Sequence, residues 1–337
     1  MWIGREYLRK KPDPMSKGIV VLTSPLYHYS IAKSAAILDL GHSKYIPCNR
    51  CHKPHIFTVD SSGAGLNLVD MDEKGQMSVS ELEKVFHLKY NEGFRRFLIV
   101  PSVGTYLMGS IDPIQEIGDF ITKMNRKTGA NFYMHVDASF AGFTVPFVNP
   151  EIKFGFSIPE VMSITVDGDK MGRLPYPAGV FLCRKTLMSL VAREVNYVRG
   201  NEDNTISGSR SGVAQILAWY LYQSEGTVGQ KKYVQSCLDG RDKLVSLITS
   251  KLPWVKILPC SPWVNFAPME VDIETGKVPE RLLAETGILG PYHLRSDFFC
   301  TGHHDNCPTV VYKVCVMPHN LPHIDRFVAD LAKAKNG

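Results

Sequence analysis

The sequence predicts an α/β protein with a large sheet domain followed by a smaller α+β unit. Three observations carry this. Short apolar strands alternate with amphipathic helices over the first two-thirds of the chain. The 337 residues are 44% hydrophobic, enough for a large core and a smaller one. The final third turns to Pro, Cys and short strand-like runs. In order, residues 31–40 and 79–90 show helical spacing, "RFLIVPSVG" reads as a buried strand and 113–127 as a helix. "NFYMHVDAS", "VMSITVDG" and "AGVFLCRK" add three strands, and helix-length patterns follow at 207–225 and 229–250. Ser78 is the expected N-cap of the 79–90 helix, with Glu81 closing a capping box. The domain boundary is expected near 228, giving a large domain at 1–228 and a small one at 229–337.

Charge and cysteine usage exclude several classes of function. Lys and Arg number 38 against 33 Asp and Glu, and the resulting +5 is spread along the chain, which argues against a nucleic-acid partner. Arg9-Lys10-Lys11 and Arg95-Arg96 are read as solvated faces. No run reaches about 18 apolar residues, and the first twenty residues carry charges and prolines, so neither a membrane span nor an export signal is expected and the protein is placed in the cytoplasm. Its eight cysteines are then reduced thiols. Cys48, Cys51, His52 and His55, and separately Cys300, His303, His304 and Cys307, have ligand-like spacing, but polar surface loops are the preferred reading and no metal is expected. Asp70, Asp72, Gly75, Ser78 and Glu81 match a calcium-loop spacing. Lys74 spoils that match by placing an ammonium where an oxygen ligand is needed.

In open α/β sheets, functional groups collect beyond the carboxyl ends of the strands. Three such ends are polar here: Thr105 after "IVPSVG", Asp137 and Ser139 after "FYMHV", and Asp167 and Lys170 after "SITV". A hydroxyl, a carboxylate and an amine along one edge suit pyridoxal phosphate chemistry. An amine joins the aldehyde as a Schiff base, and a carboxylate keeps the pyridine nitrogen protonated. Lys170 and Asp137 take those roles, and His28 and Ser139 are the candidates for the two faces of the ring.

With these residues in view, the chain resembles the group II pyridoxal-phosphate-dependent amino-acid decarboxylases. The segments that carry the resemblance are "TSPLYHYSIAKSA", "GTYLMGSIDPI", "HVDASFAGFTVPF", "DGDKMGRLPYPAG" and "TISGSRSG" with "VCVMPHN", in that order. The wording is most similar to tyrosine and aspartate decarboxylases, then to histidine and serine decarboxylases. The resemblance implies an aspartate-aminotransferase-like fold, a homodimer and decarboxylation of an L-amino acid of the tyrosine, aspartate, glutamate, histidine or serine class. It also implies that Lys170 binds the cofactor, Asp137 pairs with the ring nitrogen, His28 stacks and Thr105 lies at the polar edge, with Ser139 and Asp167 alongside. Arg210 and Arg295 are candidates for a substrate carboxylate, set against ordinary salt bridges.

Two departures from the family pattern are expected to weaken phosphate binding. Asp169 replaces a histidine, and its carboxylate facing a phosphate costs roughly a few kcal/mol in a low-dielectric pocket. Relatives also carry roughly a hundred residues before "IGREYLRKK", including a glycine-threonine turn whose helix N-terminus cradles the phosphate. The alternative to an enzyme is a non-catalytic relative serving as scaffold or regulatory subunit. A third reading is carbon-carbon lysis or transamination with the same cofactor.

Overall fold

Runs of Val, Ile and Leu, buried on both faces, become the central strands. The computed structural model describes residues 1–15, 17–47, 54–59, 64–210, 212–271, 294–299 and 309–336. Its first elements are α1 (Trp2–Arg9), β1 (Ile19–Thr23), α2 (Tyr29–Ile37) and an antiparallel pair of β2 (His42–Pro47) and β3 (Pro54–Val59). There follow β4 (Gly65–Leu68), α3 (Val79–Asn91), β5 (Arg96–Val100), α4 (Ile114–Thr128), β6 (Asn131–Asp137), the short α5 (Val145–Val148), β7 (Val161–Asp167) and β8 (Gly179–Cys183). The main sheet has the order β4-β1-β5-β6-β7-β8. All its neighbours are parallel except β7 and β8, which run antiparallel.

One face of this sheet packs on α3 and α4. There the Phe86 ring lies 4.8 Å from Phe97, 5.7 Å from Phe120 and 5.5 Å from Phe132, each distance between centroids. Burying each such side chain is worth roughly 1.5–3 kcal/mol. The other face packs on α1 and α2 through Ile3, Leu8, Ile31 and Ala35. Helix α1 was not expected from the sequence, and no side chain caps it.

The chain continues through a small ribbon of β9 (Arg193–Glu194) and β10 (Glu202–Asp203) into α6 (Val213–Ser224) and α7 (Gly226–Lys251). A second, antiparallel sheet then combines β11 (Val255–Ile257), β12 (Phe266–Val271), β13 (Leu294–Phe299) and β14 (Thr309–Cys315) in the order β11-β12-β14-β13. The last helix, α8 (Ile324–Asn336), packs with the second half of α7 on this sheet through Leu244, Ile248, Phe327 and Leu331.

Several local expectations are refined. Ser78 Oγ accepts the Glu81 N–H at 3.3 Å, but the Ser78 N–H already donates to the Asp70 carbonyl. Glu81 therefore pairs with Lys84 at 2.6 Å and the capping box stays half closed. Helix α2 stops at Ile37 instead of reaching 40, because Asp39 turns left-handed (φ 54°) and Leu40 N–H bonds the Ala35 carbonyl. Helix α6 begins at Val213, not 207. Upstream, Asp203 Oδ1 takes both the N–H and hydroxyl of Thr205, whose Oγ1 accepts the Gly208 N–H, a local turn that competes with helix. Arg95 and Arg96 are not solvated faces. Arg95 lies 3.8 Å over the Tyr90 ring, and Arg96 pairs with Asp13 at 3.4 Å while donating to the Lys11 carbonyl. The calcium-like stretch is a turn in which Asp72 Oδ1 accepts from the Lys74 and Gln76 N–H groups, each at 2.9 Å. Cys48, Cys51, His52, Cys300, His303, His304 and Cys307 lie outside the described residues, as does the side chain of His55 on β3. Among the described residues, no helix is long and apolar enough to cross a membrane.

Candidate active site

Strand connectivity locates the site before any side chain is considered. From β1 the sheet continues to β4 on one side, while β5 continues to β6 on the other. Ligands of parallel sheets bind outside the carboxyl ends where the order reverses in this way. His28 follows β1, Thr105 follows β5, Asp137 ends β6, and Lys170 lies just past β7.

Asp137 is held before its side chain does anything. Its N–H donates to the Pro101 carbonyl at 2.9 Å, and its carbonyl accepts the Val103 N–H at 2.8 Å. The carboxylate is buried, and Oδ1 accepts from the Ser139 N–H at 3.1 Å and hydroxyl at 2.5 Å. Among the described residues no hydrogen-bond donor reaches Oδ2. Ser139 also accepts the Asp167 N–H at 3.3 Å, and Asp167 Oδ2 lies 2.8 Å from Lys170 Nζ. Asp137, Ser139, Asp167 and Lys170 thus form one unbroken series of contacts. The Lys170 side chain is 34% exposed, so its amine is tethered but reachable. The Met1 ammonium is buried close enough to feel Asp137; burial pulls its pKa down to about 6, and Asp137 opposes that.

The other two predicted residues share the edge but are engaged locally. Thr105 is buried, with Oγ1 2.7 Å from Ser110 Oγ and accepting the Ser110 N–H, so its hydroxyl faces its own turn. Gly104 (φ 89°) brings that turn against the Ser139 segment, where an added Cβ would meet Ala141 Cβ at 2.8 Å. His28 caps α2, its Nδ1 accepting from the Ser30 N–H at 3.4 Å, with its ring centroid 4.4 Å from that of Tyr29. Asp169 is half-buried beside Lys170. Arg210 is exposed on the ribbon side, where its charge lowers the pKa of Asp203 behind the Thr205 hydrogen bonds, and the Arg295 side chain lies outside the described residues.

Sequence reasoning missed a buried polar ladder under this edge. Tyr133 OH donates to Ser163 Oγ at 2.8 Å, His135 Nδ1 lies 2.8 Å from the same oxygen, and His135 Nε2 lies 3.2 Å from Thr165 Oγ1. Burial holds the His135 pKa well below its usual value, so the ring is neutral. The signal was legible as period-two alternation, with His135 and Asp137 on β6 and Ser163, Thr165 and Asp167 on β7 sharing one face. Lys313 was also missed. It is a buried lysine on β14 whose Nζ donates to the Tyr106 carbonyl at 2.5 Å, over the Phe266 ring at 4.5 Å. A separate groove of about 630 Å³, bounded by Gln76, Asp112, Lys153, Cys260 and Trp263, contains none of the predicted residues. The strand edge is preferred because the Lys170 amine and the buried Asp137 carboxylate lie at the ends of neighbouring strands of one sheet there.

Known proteins resemble this chain over much of its length. Residues 5–258 match the family described as "Pyridoxal-dependent decarboxylase conserved domain". The chain is 31% identical over 230 residues to a tryptophan decarboxylase of Clostridium sporogenes, covering 68% of this chain and 48% of that protein. It is 36% identical over 142 residues to a probable L-tyrosine/L-aspartate decarboxylase of Methanocella arvoryzae, covering 42% and 36%. It thus spans about half or less of the length of these two relatives. Among solved structures, a Lactobacillus brevis glutamate decarboxylase superimposes with a TM-score of 0.75 at 19% identity, covering 99% of this chain and 69% of that one. A Burkholderia pseudomallei sphingosine-1-phosphate lyase gives 0.72 at 17% identity, covering 99% and 67%. These two likenesses establish the fold, a mixed α/β architecture of the aspartate-aminotransferase type. The family's description makes it pyridoxal-dependent, its cofactor is pyridoxal phosphate, and the residues present fit that group. The half-exposed Lys170 amine is open to an aldehyde, and Asp137 has an oxygen to spare for a ring N–H. The chain belongs to the pyridoxal-dependent decarboxylase family.

Proposed function

We propose that this protein decarboxylates an L-amino acid of the tyrosine, aspartate, glutamate, histidine or serine class, with pyridoxal phosphate held by Lys170. The observation that carries the proposal is the contact series Asp137–Ser139–Asp167–Lys170 at the reversal point of a parallel sheet. Bound through its aldehyde, pyridoxal phosphate supplies the electron sink that lets the α-carboxylate depart as carbon dioxide. The protein's own groups do the positioning. Asp167 holds the Lys170 amine at the wall and Ser139 fixes the Asp137 carboxylate; with the cofactor bound, Asp137 would hold its ring nitrogen, and His28 and Thr105 lie on the same edge. In this reading residues 1–228 carry the cofactor, residues 229–337 form the small domain, and the protein works in the cytoplasm.

The reading includes a homodimer, which would also supply phosphate contacts. It is supported by apolar side chains left exposed on two elements: Val180, Phe181 and Leu182 on β8, and Ile216, Trp219 and Tyr220 on α6, with Trp219 65% exposed. No residue of α6 is buried in the single chain.

The deciding experiment mixes the protein with pyridoxal phosphate, reduces with borohydride and maps the adduct by mass spectrometry. An adduct on Lys170 is expected; its absence would leave a folded, non-catalytic relative. Carbon dioxide release from a panel of the candidate amino acids then identifies the substrate, and formation of a keto acid or an aldehyde without it would point to transamination or carbon-carbon lysis by the same cofactor.

A further inference from the structure

Three consecutive residues after Lys170 are gripped by one helical corner. Gln230, buried on α7, donates from Nε2 to the Met171 carbonyl at 2.7 Å and to the Phe143 carbonyl at 3.1 Å. Tyr222 on α6 donates its hydroxyl to the Gly172 carbonyl at 3.1 Å. Arg173 meets Glu225, between α6 and α7, with two hydrogen bonds of 2.6 and 3.0 Å, while its guanidinium lies 4.6 Å from the Tyr233 ring centroid. Arg173 is a non-glycine residue at φ 65°, a left-handed conformation that persists only where its surroundings enforce it. The turn is also folded tightly on itself, since a Cβ on Gly172 would stand 2.7 Å from Gly168 Cα.

The far end of the same helix belongs to the C-terminal unit. Leu244, Ile248 and Leu252 of α7 pack against Val314, Val316 and Phe327, and Gly240 leaves no room for a Cβ against Leu321. α7 is therefore a rod with the Lys170 turn at one end and the second sheet at the other.

We infer that the α6–α7 corner positions Lys170, with Glu225 and Gln230 as positioning residues that transmit the placement of the C-terminal unit to the amine. The inference rests on the reading of Lys170 as the cofactor lysine, but its first test does not. In the full chain without added cofactor, acetic anhydride labels lysines at rates read by mass spectrometry, with the exposed Lys231 and Lys232 as internal references. Arg173→Glu and Glu225→Arg are each expected to change the Lys170 to Lys231 labelling ratio about threefold or more, and the double exchange to restore it. Glu225→Gln, the gentlest change, should move the ratio the same way. After pyridoxal phosphate is added, the pH midpoint of the visible absorbance should shift in the single variants and return in the double. If the single variants lower the thermal midpoint but leave both Lys170 readouts at wild-type values, the corner is merely structural and the inference fails. If the wild type forms no Lys170 adduct, the functional proposal fails while the labelling ratio still decides the positioning role.

Discussion

Asp112 is the residue whose chemistry is most out of place. It is buried, accepts the Met77 and Ser102 N–H groups at 2.7 Å each, and has its pKa raised to about 7 because burial outweighs those two bonds. An acid whose pKa is raised on folding contributes stability that is complete below its unfolded value and is lost as pH rises through the folded value. Urea midpoints should therefore show wild type losing stability between about pH 4 and about pH 7 by a component that Asp112→Asn lacks, worth roughly a few kcal/mol. At the proposed active site, Lys170→Ala is expected to lower any decarboxylase kcat by roughly a thousandfold or more. Asp137→Asn should lower it by about a hundredfold while the protein still folds, as measured by carbon dioxide release beside circular dichroism. The positions of Asp137, Asp167 and Lys170 were legible in the sequence because Asp137 is the polar end of one apolar strand and Asp167 and Lys170 follow another. The roles of Ser139 and Thr105 were less so. A sequence shows that a hydroxyl is near the edge but not that Ser139 turns to Asp137 and Thr105 to Ser110.

Among elements, α4 offers the cleanest test of a local signal. It ends at Gly129 with φ 70°, and an added Cβ there meets nothing within 4 Å. Gly129→Ala should thus cost about 1 kcal/mol through the backbone alone, seen as a lower urea midpoint with an unchanged slope and unchanged activity. Long periodic helices and Val-rich strands were readable because burial imposes their period. The ends were not, because they depend on single bonds: the Ser78 N–H to Asp70, the Leu40 N–H to Ala35, and the Asp203–Thr205–Gly208 turn that delays α6. The clamp on residues 171–173 was invisible for a related reason. Tyr222, Glu225 and Gln230 have no pattern of their own and acquire meaning only when α7 is laid beside the turn.

At the scale of the whole molecule, the alternation of strands and helices revealed a mostly parallel sheet with helices on both faces. It could not show that β8, an apolar strand by sequence, leaves Val180, Phe181 and Leu182 exposed. Reading that surface as a subunit interface predicts that Trp219→Glu shifts the protein from dimer to monomer in sedimentation velocity, with about a tenfold or greater loss of association. The position of β8 at the rim of its sheet has a kinetic corollary. A rim strand with unpaired backbone groups and apolar side chains is a template for cross-chain stacking whenever it is uncovered. A variant that cannot pair, such as Trp219→Glu, is therefore expected to become turbid sooner on warming than wild type at the same concentration, because more of its chains carry β8 uncovered.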